Sequence, residues 1–138
     1  MVPGAYCSLL LADFGADVIK VEDTYAGDYM RQVPPLVNGV NPTFVMLNRN
    51  KRSIAINLKT DEGRHAFLRL VKEADVLLEG FRPGVMKKLD LSYENLREIN
   101  PGLIYCPLTG YGQSCPYRNR VGHDLNYVSL AGVFSLNV

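Results

Sequence analysis

Four short runs rich in β-branched and aliphatic residues recur along the chain, at 17–22, 53–58, 75–79 and 103–108. The first reads Asp17-Val18-Ile19-Lys20-Val21-Glu22 and the third Asp75-Val76-Leu77-Leu78-Glu79. Each is short enough for a strand, and the stretches between them are too long for hairpins and patterned for helices. Strands separated by helical crossovers pair in parallel, because a tight turn cannot return the chain to the same end of a sheet. This pattern predicts an α/β fold, a parallel Rossmann-like sheet with helices on both faces. In such sheets ligands gather at the loops beyond the carboxyl ends of the strands. Those loops begin here at Asp23, Lys59, Gly80 and Thr109.

The intervening segments carry helix punctuation. Residues 6–14 read as a helix closed by Gly15, entered from a Pro3-Gly4 loop, and residues 43–48 as a short one. Thr60 is an N-cap, and Asp61 and Glu62 suit the positive end of the helix that follows. Ala66, Phe67, Leu70 and Val71 give that helix its apolar face. Pro83 opens a short helix to Leu89, Ser92 caps another through Ile99, and the segment after Gly122 reads as an apolar helix through Val133. Residues 23–39 form a long loop, of a length more often functional than idle.

Composition removes several classes. The 138 residues, 47% of them apolar and 21% charged, suit one folded domain rather than two or a disordered chain. Fifteen Lys and Arg against fourteen Asp and Glu give a net charge of +1, which argues for neither a nucleic-acid nor an anionic-membrane partner. No apolar run approaches the roughly 18–20 residues of a membrane span, and Met1-Val2-Pro3-Gly4 does not begin a secretory signal. Cys7, Cys106 and Cys115 are odd in number and lack metal-ligand spacing, so neither a disulfide framework nor a metal site is expected. A reducing, cytoplasmic setting fits this usage. The Pro3-Gly4 start and the apolar end at 133–138 read as cut edges, because free ends are usually polar.

Three of the strand-end loops hold candidate chemistry. Lys59 stands between a strand end and a helix start, where a cation meets phosphate; a solvated surface lysine is the plainer reading of its spacing. Gly80-Phe81-Arg82-Pro83-Gly84 offers close backbone approach, a flat apolar face and a cation, followed by Lys87 and Lys88. That set fits an adenine and phosphates, or equally a Pro-Gly turn with Arg82 paired to a carboxylate. His123 lies between Gly122 and Asp124 at a helix start, and an imidazole is suited to proton transfer near neutral pH. By spacing alone, a capping histidine bonded to backbone is the plainer reading. His65 lies on an amphipathic helix and reads as a surface residue. No HExxH, Walker-A loop or complete GxGxxG is present.

Taken in order, six segments resemble the family III CoA-transferases, a superfamily that includes carnitine CoA-transferase, formyl-CoA transferase and α-methylacyl-CoA racemase. They are 3–7, 11–22, Asn50-Lys51-Arg52-Ser53-Ile54-Ala55, Glu79-Gly80-Phe81-Arg82-Pro83-Gly84-Val85, Gly110-Tyr111-Gly112-Gln113 and Gly122-His123-Asp124-Leu125-Asn126-Tyr127. The resemblance spans essentially the whole chain. It implies CoA or an acyl-CoA as substrate, with no tightly bound cofactor and no metal. It implies either CoA transfer between carboxylic acids through an anhydride on a catalytic Asp, or proton transfer at C2 of a 2-methylacyl-CoA by a His and an Asp. The 122–127 segment is closest to the racemase branch, which makes His123 the acid/base residue, with Asp124 supporting it. By position, the CoA contacts carry over to Ile56, Leu58, Lys59, Gly80, Phe81, Lys88 and Tyr127, with Arg82 in support. Lys88 stands where the family usually has Arg, and Asp23 where relatives often have a cation.

The resemblance places the first strand of the sheet upstream of Pro3 and the catalytic Asp, with a second domain, beyond residue 138. Residues 1–138 then form a partial N-terminal CoA-binding domain of an enzyme whose complete members are interlocked homodimers. The alternative is a non-catalytic CoA-binding or assembly fragment. Neither reading calls for a membrane or nucleic acid.

Overall fold

The computed structural model describes residues 2–136. Met1, Asn137 and Val138, which belong to the two segments read as cut edges, lie outside the described residues. In chain order the elements are α1 (Val2–Asp13), β1 (Val18–Glu22), a 3-10 turn (Tyr29–Arg31), α2 (Pro42–Asn48), β2 (Lys51–Ala55) and α3 (Asp61–Glu73). They continue with β3 (Val76–Glu79), α4 (Val85–Lys88), α5 (Tyr93–Ile99), β4 (Ile104–Pro107), α6 (Asp124–Leu130) and a second 3-10 turn (Val133–Leu136).

The alternation and the parallel pairing follow the sequence pattern. β1 runs parallel to β2 with Val18 opposite Lys51, and β3 runs parallel to β4 with Val76 opposite Ile104. The sheet is read from the sequence as incomplete, and among the described residues it consists of these two separate pairs. The strand pattern specifies direction but not which edges meet. Helix α1 lies against both β1 and β3 and so spans the two pairs.

Three boundaries move for local reasons. α1 starts at Val2 rather than Tyr6, because Pro3 fits a first helical turn and Gly4 lies against the Leu78 and Leu108 side chains. β2 runs over Lys51–Ala55 rather than 53–58. The Ile56 amide donates to the carbonyl of Glu22, the last residue of β1, at 3.0 Å, and beyond it β1 offers no partner. α6 ends at Leu130 rather than Val133, since Gly132 takes φ +75°.

The caps hold as expected. Thr60 Oγ1 accepts the Gly63 amide at 3.1 Å, and Ser92 Oγ the Asn95 amide at 3.4 Å. Phe67 and Val71 of α3 join Met86, Leu91, Leu96 and Leu103 in the larger core. A smaller one joins Leu9 and Ala12 of α1 to Phe44 and Leu47 of α2.

The long loop after β1 is anchored by Glu22, which is 8% exposed. Arg31 Nε and Nη2 donate to its two oxygens at 2.9 and 2.8 Å, Ser53 Oγ donates at 2.8 Å and the Asp28 amide at 2.9 Å. The Arg31 guanidinium in turn lies 4.2 Å from the centre of the Phe44 ring. These donors, Arg31 foremost, hold the Glu22 carboxyl down to about 2 from an ordinary 4.5, against the opposing effect of burial. A folded-state pKa below the unfolded one stabilises above the unfolded value and loses that contribution as pH falls toward the folded value. Glu22→Gln is expected to cost about 3 kcal/mol at pH 7 and progressively less between about pH 4.5 and 2. Urea titrations of both proteins across that range test it; a constant difference in stability refutes it.

Candidate functional site

Each strand delivers one of the candidate loops at its carboxyl end. After β1, Asp23 accepts the amides of Tyr25 and Ala26 at 2.7 and 3.1 Å. These two bonds, with the field of the Lys59 ammonium, hold its carboxyl below the ordinary range. Asp23 and Lys59 therefore share one electrostatic corner, where the first two loops meet. Of the residues leading to Lys59, Ile56 is buried and Leu58 packs against the larger core, so both present little free side chain. Lys59 itself is exposed.

The third loop is held from beneath. Glu79, at the end of β3, accepts the Phe81 amide at 2.7 Å on Oε2 and the Tyr105 hydroxyl at 3.1 Å on Oε1. Burial and the Glu79 charge push the Tyr105 hydroxyl above its ordinary range. Gly80, Phe81 and Arg82 stand exposed above this anchor, Phe81 at 44%. Arg82 makes no ion pair among the described residues, so the carboxylate partner allowed by the sequence is not found there. With Glu79, Pro83, Tyr93 and Tyr105 it lines a cleft of about 710 Å³. Lys88 is exposed at the end of α4.

The fourth loop returns to α6 through Tyr127. Its hydroxyl donates to the Gly122 carbonyl at 2.7 Å. Its ring covers two glycines: a Cβ on Gly110 would overlap it, and one on Gly122 would lie 2.8 Å from it. His123 is the N-cap of α6, and its amide donates to Asn126 Oδ1 at 2.9 Å. Its carbonyl accepts the amides of Asn126 and Tyr127 at 2.9 and 3.3 Å. The backbone of His123 is thus fixed on both sides, while the residue is exposed. Asp124 follows as the first residue of α6, also exposed. Thr109, where this loop leaves β4, has a buried hydroxyl with no partner among the described residues. His65 is exposed on α3, as its helix pattern predicts.

Direct contacts connect some candidates and not others. Tyr127 is hydrogen-bonded to Gly122 and hence tied to His123, whereas Lys59 acts on Asp23 through its field without an ion pair; no hydrogen bond joins these two groups among the described residues. Sequence reasoning does not find the Tyr127 clamp, whose trace is the pair of glycines at 110 and 122. Nor does it find Glu79 as an anchor. No three His, Cys, Asp or Glu side chains gather into a metal-binding group among the described residues. No helix there is long and apolar enough to cross a membrane.

Parallel strand pairs with helices between them define a mixed α/β protein. The chain belongs to CoA-transferase family III, whose sequence profile matches residues 1–138. It is 50% identical over 117 residues to a succinyl-CoA:mesaconate CoA-transferase of Haloarcula marismortui, covering 81% of this chain and 29% of that protein. It is 42% identical over 135 residues to the human alpha-methylacyl-CoA racemase, covering 98% of this chain and 32% of that one. A crystal structure of a CAIB/BAIF family protein from Brucella suis superposes with a TM-score of 0.89 at 43% identity, over 96% of this chain and 36% of the other. The chain spans about a third of the length of these relatives.

The clamp makes a stability prediction. Gly110→Ala forces the Tyr127 ring aside and is expected to cost about 1–3 kcal/mol, the usual range for overpacking. Gly102→Ala, where the nearest atom is an ordinary 3.5 Å away, serves as the near-neutral control. Thermal denaturation of the two variants checks this, and equal melting temperatures would remove Tyr127 as a wedge.

Proposed function

We propose that this chain is the N-terminal CoA-thioester-binding domain of an acyl-CoA-processing enzyme, with His123 as its proton-transfer residue. The observation that supports this most is the His123 arrangement: a backbone pinned by Asn126 and Tyr127 on an exposed loop at a strand's carboxyl end. A thioester carbonyl acidifies the C–H at C2. The imidazole takes that proton, the electron pair moves onto the thioester oxygen as an enolate, and the Asp that the resemblance places beyond residue 138 gives a proton to the opposite face, which inverts the centre. The alternative use of the same domain is CoA transfer between carboxylic acids. Relatives named for each reaction match this chain, and several of the transferases among them are named for succinyl-CoA. Acyl groups bearing a second carboxylate are therefore part of the reading.

The CoA end is assigned to Ile56, Leu58, Lys59, Gly80, Phe81, Lys88 and Tyr127, with Arg82 and Asp124 in support. Lys59 meets phosphate and Phe81 offers its exposed ring to the adenine. Ile56 and Leu58 act as the packed floor beneath that corner. The complete enzyme works in the cytoplasm as a homodimer and uses the CoA thioester as substrate, with no bound cofactor. The second reading is a CoA-binding or assembly module without turnover. Measurable racemisation or CoA transfer by these 138 residues excludes that second reading.

Two experiments test the assignment. In the complete enzyme, His123→Ala is expected to abolish deuterium wash-in at C2 of a 2-methylacyl-CoA; exchange that persists removes His123 from proton transfer. In calorimetric titrations of this chain with CoA, Lys59→Ala is expected to weaken binding roughly threefold to tenfold at low salt and less at high salt. Unchanged affinity at both would exclude the phosphate contact.

A further inference from the structure

The backbone and the side chain of Glu79 serve two purposes at the end of β3. Its carbonyl accepts the Leu108 amide at 2.8 Å, which closes the ladder between β3 and β4. Its carboxylate turns past the strand end and accepts the Phe81 amide on Oε2 at 2.7 Å. Glu79 thus fixes the chain two residues further on, where the ladder no longer does. The carboxylate is itself held from the neighbouring strand. Tyr105, opposite Leu77 in the register of the pair, donates its hydroxyl to Oε1 at 3.1 Å. Burial and the Glu79 charge raise the pKa of that hydroxyl, which keeps it a donor. The Tyr105 ring rests against the Tyr93 ring of α5, with centroids 5.7 Å apart and planes at 44°. The Arg97 guanidinium lies 5.9 Å from the centre of the Tyr93 ring. A continuous series therefore runs from α5 through Tyr105 and Glu79 to the Phe81 backbone. Tyr105 and Glu79 are half-buried, whereas the Phe81 ring at the end of the series is exposed.

We propose that Glu79 and Tyr105 are positioning residues for recognition of the nucleotide end of CoA, acting through the backbone of Phe81. This assignment rests on the reading that Phe81 offers its ring to the adenine. A ring stacks on a base only within a limited range of offsets and tilts. An aromatic side chain on a free loop must be ordered as it binds, and that ordering weakens binding. The Glu79 carboxylate orders the loop in advance by holding the Phe81 amide, and the Tyr105 hydroxyl in turn restricts the carboxylate. The supports come from β3, β4 and α5, so affinity for the adenine depends on residues outside the loop that meets it.

The chain contains no Trp, so Phe81→Trp introduces a single indole whose fluorescence reports stacking on adenine. Addition of CoA to that variant is expected to quench the indole. In the same background Tyr105→Phe removes only the hydroxyl and keeps the ring against Tyr93. It should weaken CoA binding about threefold to tenfold and reduce the quenching reached at saturation. Glu79→Ala should have a larger effect of the same kind. Glu79→Gln should lose less than Glu79→Ala, because its amide oxygen can still accept the Phe81 amide. Tyr105→Phe and Glu79→Gln carry the test if Glu79→Ala does not fold. Unchanged affinity and quenching in Tyr105→Phe overturn the proposal. Weaker binding with full quenching at saturation also overturns it, since the ring is then in place without the hydroxyl. Binding of CoA to Phe81→Trp without any quenching refutes instead the placement of the adenine on Phe81, and failure to bind CoA at all refutes the CoA-binding reading.

Discussion

The Glu22 carboxylate sits at the last position of β1, almost out of contact with water. An ion in that position destabilises a fold unless charge and hydrogen-bond donors surround it. Here Arg31 grips both oxygens, Ser53 reaches across from β2 and the Asp28 amide closes the set. One group therefore fastens the strand pair and the long loop beyond it. The same loop begins at Asp23, the residue that follows this buried ion. Removing Arg31 while keeping Glu22 would be worse than removing both, since an unpaired buried carboxylate would remain.

A second set of polar ties engages residues 49–52. Lys51 Nζ donates to the Ala5 carbonyl and to Ser8 Oγ at 2.8 and 2.9 Å, which fastens β2 to α1. Burial lowers the pKa of this ammonium. Arg49 pairs with Asp13 and Arg52 with Asp17, and Asn50 adopts φ +60° while donating to Asp13 at 2.9 Å. These charges serve assembly of the strand pair, whereas those on the loops after β3 and β4 are left unpaired. Arg82, Arg118 and Arg120 make no ion pair among the described residues.

Most of the element order was legible because it rests on local chemistry. Thr60 and Ser92 announce their helices by capping, and the four aliphatic runs announce strands whose crossovers force a parallel arrangement. What was not legible depends on contacts between distant residues. The span of β2 is fixed by where β1 stops. In the site, the residue types and loops could be read, and the resemblance supplied roles for them. The supports beneath those loops could not. Glu79 reads as a strand-end acid until the Phe81 amide and the Tyr105 hydroxyl are seen upon it. Tyr127 carries a structural task, wedged over Gly110 and Gly122, beside the CoA-neighbour role that the resemblance implies.

That wedge shows how a small loop can satisfy two opposed demands. A proton-transfer residue must be held close to one geometry, yet its ring must remain open to substrate. Here the holding is done through the backbone. The Gly122 carbonyl is bound by a phenol and the His123 amide by Asn126, and the His123 carbonyl accepts the amides of Asn126 and Tyr127. None of these four bonds runs through the imidazole. The cost is two positions where only glycine fits, because the Tyr127 ring occupies the space a Cβ would need. Substitution at either glycine thus reaches His123 without touching its side chain, by moving the ring that fixes its backbone.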